Sequence, residues 1–186
     1  MSGAPTGVPG DWHEGRLPGV LLRRMAIHPD ARGAFGELWR ADWTDPFGAR
    51  MVQANLSRSR KGVLRGLHFH QHQADLWIVA EGQPLVALVD LRAAVAGTGR
   101  PVVDIIETQP GDTLYLPAGV AHGFYAPEDM TLIYLVTNVY DGTDELGFRW
   151  DDPDAGVSWP DPAPVLSDRD AAAPSLASLL ERLRAG

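Results

Sequence analysis

Glycine and proline cut this chain into apolar pieces too short for anything but brief elements. Twenty Gly and 15 Pro fall among 186 residues. The runs between them are Val20–Met25, Gly36–Trp43, Met51–Ser59, Val63–His70, Leu76–Ala80, Pro84–Leu91, Val102–Glu107, Thr113–Leu116, His122–Tyr125 and Met130–Val139. Each fits a strand of about five to nine residues. β-Branched and aromatic residues are common in them, and turn sequences such as Glu81-Gly82, Gly97-Thr98-Gly99 and Pro110-Gly111-Asp112 separate them. Many short strands with a turn signal about every ten residues predict an all-β protein, an antiparallel sandwich or barrel. One helix is expected, at the C-terminus, where Leu176, Leu179, Leu180 and Leu183 recur at helical spacing after Pro174-Ser175. The Asp- and Pro-rich stretch Trp150–Ala163 reads as an irregular surface connection.

A hydrophobic fraction of 45% suits one packed domain of this length. The expected division is an N-terminal tail or arm (1–18), a barrel (19–172) and a terminal helix (173–186). The absence of cysteine rules out disulfides, Cys-ligated zinc, iron–sulfur clusters and thiol catalysis. A net charge of −8 has the wrong sign for non-specific nucleic-acid binding. No apolar run approaches the roughly 20 residues of a membrane span. The Gly- and Pro-rich first residues lack the basic start and apolar core of a signal peptide. A soluble, cytoplasmic protein is expected.

Three of the six histidines stand within five residues, at His68, His70 and His72. On a strand, His68 and His70 share a face, so an inward face would bring two imidazoles into a barrel interior; an outward one would leave them solvated. Two wider patterns favour the interior. Five residues separate Gly62 from His68, then come His70, four residues to Asp75 and six to Gly82. Five residues separate Gly111 from Pro117, followed by Gly119 and, after two intervening residues, His122. This spacing resembles the two signature motifs of the cupin superfamily, with Asp75 where Glu is usual. The resemblance implies a cupin-type double-sheet β-barrel, a jelly roll, closed by the short C-terminal helix.

The surrounding blocks are more specific. They are Asp30-Ala31-Arg32-Gly33-Ala34-Phe35-Gly36-Glu37, Gln53 to Ser59, Lys61 to His68, Leu116 to Phe124, Tyr134, Tyr140, Glu145, Trp150 to Pro153, Trp159-Pro160 and Leu166 to Asp170. In this order they resemble the dTDP-4-dehydrorhamnose 3,5-epimerase family. That resemblance implies a substrate in which a nucleotide carries a 4-keto-6-deoxyhexose, whose C3 and C5 protons are acidified by the ketone. It implies His68 as base, Asp170 as the carboxylate paired with it, and Tyr134 as the phenol that returns a proton to the opposite face. It further implies that Arg32, Glu37, Gln53, Asn55, Arg65, Glu145 and Arg169 hold the nucleotide and sugar. His122 would contact the sugar region, and Tyr140 would stack on the base. Planar guanidinium forks suit a diphosphate. A homodimer with exchanged strands or packed sheets is implied as well, and no cofactor.

Two positions depart from that family. Gln is usual where His70 stands, and Lys is usual near Asp75, in a loop here about three residues shorter. The sole lysine of the chain is Lys61. A carboxylate in place of a cation beside a developing oxyanion is unfavourable by about a few kcal/mol. Two alternatives therefore stand beside the epimerase: a metal-dependent cupin isomerase or oxygenase with one divalent metal on His68, His70, Asp75 and His122, and a non-catalytic sugar-nucleotide-binding cupin. Trp39, Trp43 and Trp77 read as core or interface aromatics without a chemical role.

Overall fold

In the computed structural model, which describes residues 12–41, 50–140 and 142–185, nearly every short apolar run is a strand. Six strands form one antiparallel sheet: β1 (His13–Glu14), β2 (Leu21–Arg24), β10 (Asp112–Leu116), β7 (Asp75–Glu81), β12 (Met130–Val136) and β5 (Gln53–Ser59), in that spatial order. Five form the second: β13 (Leu146–Gly147), β6 (Leu64–Phe69), β11 (Val120–Tyr125), β8 (Leu85–Asp90) and β9 (Val102–Glu107). The two sheets pack face to face as a jelly-roll barrel. Alternate residues from both fill the space between, among them Trp77, Val79, Leu114, Leu116 and Leu132 from the first, and Val86, Leu88, Val120 and Phe124 from the second.

The glycines of the two spaced motifs, Gly62, Gly82, Gly111 and Gly119, all take positive φ. Gly82 shows why a side chain is excluded there: a Cβ would lie 2.5 Å from that of Met130, on a backbone at φ 78°.

Outside the second sheet lies the C-terminal helix, numbered α3 (Leu176–Ala185) after two short helices, α1 (Arg92–Val95) and α2 (Asp168–Ala171). Leu176, Leu179 and Leu183 are buried against Leu67, Phe69, Ala87, Val89 and Phe148. Each buried leucine contributes roughly 1.5–3 kcal/mol. The stretch 150–163 is irregular, as expected, but not wholly superficial: buried Asp152 accepts a hydrogen bond from the Leu176 amide at 2.9 Å, where α3 starts.

One expected strand does not form. Of Gly36–Trp43, residues 37–40 carry no ladder, and Trp43 lies outside the described residues. The chain instead makes a separate hairpin just before, β3 (Ile27–Asp30) with β4 (Gly33–Gly36). Its turn is closed by Asp30, whose Oδ1 accepts from the Arg32 amide at 2.8 Å. Pro29 is tolerated because a two-stranded ribbon has only edges. Of the segment 1–18, residues 1–11 lie outside the described residues, while Trp12 and Leu17 are buried.

Candidate active site

A cavity of about 250 Å³ opens between the two sheets. From the six-stranded sheet come Ser57 of β5, Asp75 and Trp77 of β7, and Leu132 and Tyr134 of β12; each of the last two pairs obeys the two-residue period of a strand. The opposite wall carries His122 and Phe124 of β11, with Arg65 and His68 of β6. Arg65 and His68 are three residues apart, and a bulge explains their common face: His68 pairs with His122 and Arg65 with Phe124, so β6 spends one residue more than β11. His70, Gln73, Glu145 and Arg169 complete the lining.

His68 is held from behind. Its Nε2–H donates to Asp170 Oδ1 at 2.8 Å, which leaves Nδ1 as the nitrogen for a bound molecule. Asp170 is fixed in turn by the start of α2. Ser167 caps that helix, its Oγ accepting from the Asp170 amide at 3.1 Å while its hydroxyl donates to Asp170 Oδ2 at 2.9 Å. Burial raises the Asp170 pKa, but the hydrogen bond and charge of His68, the Ser167 hydroxyl and Arg169 outweigh it, and the net shift is downward. The carboxylate thus stays ionised as an acceptor.

Across the cavity, burial chiefly, then the charges of Asp75 and Glu145, push the Tyr134 phenol above its usual pKa against the pull of Arg65. The phenol is therefore a proton carrier rather than a phenolate. His122, 4% exposed, is pushed down to about 4, by burial first and by His70 and His68 as well, with Asp75 opposing. Arg169 Nη1 donates to Glu145 Oε2 at 2.9 Å, and Arg65 Nε donates to Ser59 Oγ at 2.9 Å, so two guanidiniums stand at this cavity.

The metal set expected as an alternative divides. Ligand atoms of His70, Asp75 and His122 lie within 4.8 Å of one another, and His68, turned to Asp170, is outside that group. Asp75 is buried, accepting from Gln73 Nε2 at 2.9 Å and from Trp77 Nε1 at 3.2 Å. No lysine lines the cavity.

Other sequence-predicted residues are spread more widely. Tyr140 lines a neighbouring cleft of about 270 Å³ that shares Gln73 and Glu145 with the cavity. Its amide donates to Gln53 Oε1 at 3.0 Å, and Gln53 Nε2 donates to Asn55 Oδ1 at 2.9 Å, so these three form one polar chain beside the site. Arg32 and Glu37 do not reach the cavity: Arg32 pairs with Asp30 at 2.6 Å on the exposed hairpin, and Glu37 with Arg40 at 3.8 Å.

Sequence reasoning missed Ser57, Gln73, Trp77 and Asp144. Trp77 carried a signal, since it alternates with Asp75 on one strand. Asp144 carried none: its carboxylate accepts from the amides of Gln71, His72 and Gln73 at 2.7, 2.9 and 3.1 Å, folding the short loop after β6.

The sequence matches the family described as dTDP-4-dehydrorhamnose 3,5-epimerase over residues 14–178. It is 37% identical over 174 residues to the dTDP-4-dehydrorhamnose 3,5-epimerase of Mycobacterium tuberculosis, covering 86% of this chain and 84% of that one. It is 34% identical over 179 residues to the dTDP-4-dehydro-6-deoxyglucose 3-epimerase of Streptomyces bikiniensis, covering 92% and 91%. The crystal structure of dTDP-6-deoxy-D-glucose-3,5-epimerase from Legionella pneumophila, in complex with dTDP-4-keto-L-rhamnose, superposes with a TM-score of 0.80 at 32% identity, covering 92% of this chain and 95% of that one.

Proposed function

This chain belongs to the dTDP-4-dehydrorhamnose 3,5-epimerase family, and on that premise we propose that it epimerises a nucleotide-linked 4-keto-6-deoxyhexose at C3, C5 or both. The observation that carries the reading is the placement of His68 and Tyr134 on different sheets, lining one cavity from opposite walls. Inversion at carbon requires a base on one face and a proton donor on the other. His68 Nδ1 removes the proton alpha to the ketone, and Asp170 holds the ring's tautomer and stabilises the imidazolium that forms. Tyr134 returns a proton from the far side. These side chains carry the proton traffic without an organic cofactor.

At about 250 Å³ the cavity is smaller than the roughly 300 Å³ at which sites begin to engulf drug-sized ligands. It takes the hexose, with His122 against the sugar. The diphosphate lies toward Arg65 and Arg169, and the base toward Tyr140 in the adjoining cleft, the Tyr140 amide being held by Gln53 and, through it, Asn55. The relatives include both a 3,5-epimerase and a 3-epimerase at similar identity, and the carbon acted on is assigned only as one or both of that pair.

The test is incubation with a dTDP-4-keto-6-deoxyhexose in deuterium oxide, followed by NMR. Deuterium at C3 or C5 with inverted product is expected. Folded protein that binds the nucleotide sugar but exchanges no proton would instead be a sugar-nucleotide-binding cupin.

Asp170→Asn is expected to lower kcat about 10–100-fold with little change in KM, because it acts on the orientation of His68 rather than on the sugar. The same variant has a pH signature. A lowered carboxylate pKa adds stability above 3.8, the ordinary aspartate value, and that increment disappears as pH falls through the lowered value. Denaturant midpoints of wild type and variant should therefore differ most near neutrality and converge in acid.

Self-association belongs to the same reading. The hairpin β3–β4 leaves Phe35 69% exposed, and Leu56 on edge strand β5 is 59% exposed. Strand exchange between two copies covers such surfaces and would take Arg32 to a cavity it does not reach in its own chain. Light scattering should give a dimer mass, and Phe35→Asp with Leu56→Asp should give a monomer; a wild-type monomer at micromolar concentration rejects the homodimer. A cytoplasmic setting is proposed with this substrate class. Among the described residues, no helix is long and apolar enough to cross a membrane.

A further inference from the structure

We propose that His70, Asp75 and His122 form a binding site for one divalent transition-metal ion in the wall of the sugar cavity. Three observations carry this. First, both rings spend their N–H on main-chain carbonyls: His70 Nδ1 donates to Asp144 O at 2.7 Å and His122 Nδ1 to Val120 O at 3.1 Å. Each ring therefore turns its Nε2 lone pair toward the other and toward Asp75. An imidazole oriented by a carbonyl on its far nitrogen is the usual support of a metal-binding histidine.

Second, the group brings acceptors together. His122 Nε2 lies 3.7 Å from Asp75 Oδ2, an approach of lone pair to carboxylate oxygen with no proton between them. The donors in the group are the Gln73 amide, 2.9 Å from Asp75 Oδ1 and 3.3 Å from His70 Nε2, and the Trp77 indole, 3.2 Å from Asp75 Oδ2. A cation among the three relieves that arrangement. Ligand atoms now within 4.8 Å of each other need shifts on the order of 1 Å to reach metal distances of about 2.0–2.2 Å.

Third, the site faces the chemistry. All three residues are nine-tenths or more buried, and all line the cavity that His68 and Tyr134 share. Two imidazoles and one carboxylate suit zinc, iron, cobalt, nickel or manganese, and leave open coordination positions. Resting on the epimerase reading above, the ion supplies positive charge for the C4 oxygen as the enolate forms, where this cavity has Asp75 and no lysine. His68, paired with Asp170, remains free to act as base while the ion is bound.

The experiment is titration of chelator-dialysed full-length protein with Co²⁺, read by visible d–d absorption and calorimetry. One equivalent should bind. Affinity should fall at least about 100-fold in Asp75→Asn and in His122→Gln, beyond the 10–100-fold typical of outer-shell changes. The exposed His72→Gln variant should bind as wild type, and circular dichroism should show each variant folded. Failure of folded wild type to bind one equivalent overturns the site, as does binding that survives in both ligand variants.

Deuterium exchange separates this site from the epimerase reading. Stripped protein should lose at least tenfold in exchange rate and recover it with Co²⁺ or Zn²⁺. Full-rate exchange by stripped protein overturns the ion's part in the reaction and leaves the epimerase standing. Stoichiometric metal with no exchange upholds the site and overturns the epimerase.

Discussion

His68→Ala is expected to reduce deuterium incorporation into the keto sugar by about 10²–10⁴-fold, the usual contribution of a positioned general base. In barrier height this is about 3–5 kcal/mol. The effect should fall on kcat at every carbon the enzyme attacks, because one imidazole serves the whole face. The fold should survive: the ring's hydrogen bond is to Asp170, while the core around it is built from Leu67 and Phe69. A folded variant that exchanges within tenfold of wild type would remove His68 from the reaction.

Tyr134→Phe should split two events that His68→Ala abolishes together. With the base intact, a proton still leaves the sugar and a solvent-derived deuteron is returned from the same imidazole. The recovered substrate should therefore become deuterated with its configuration unchanged. Formation of the inverted product should drop by at least about 10²-fold, since the opposite wall no longer offers a donor. Burial that raises the phenol's pKa also makes phenylalanine a tolerable occupant of this position. NMR of product and recovered substrate from one reaction in deuterium oxide measures both quantities. Equal losses of exchange and inversion would place Tyr134 elsewhere in the mechanism.

The strands were readable because their signal is local. Val102–Glu107 is bounded by its turns at the residues expected, and the expected Met130–Val139 overruns only at its end, since β12 stops at Val136, where the Thr137 side chain takes the Ala74 amide. The hairpin Ile27–Gly36 escaped because, among the described residues, its side chains are almost all exposed, and so it shows no apolar alternation. The active-site residues divide in the same way. Asp75 with Trp77, and Leu132 with Tyr134, follow from the period of a strand. Arg65 with His68 does not, because the bulge that joins them to one face is set by pairing with β11. The link from Asp170 to His68 spans 102 residues and was reachable only through family resemblance. The hold of Asp144 on the loop after β6 depends on three amides whose direction no pattern of side chains records.

The Ser167–Asp170 cap has a consequence in the order of biosynthesis. His68 leaves the ribosome long before the acidic group that sets its tautomer, and that group arrives on a short helix immediately ahead of the leucine-faced segment that docks on the outer sheet. Proton transfer therefore waits on this segment, and damage to it would remove both the partner of His68 and the cavity's Arg169.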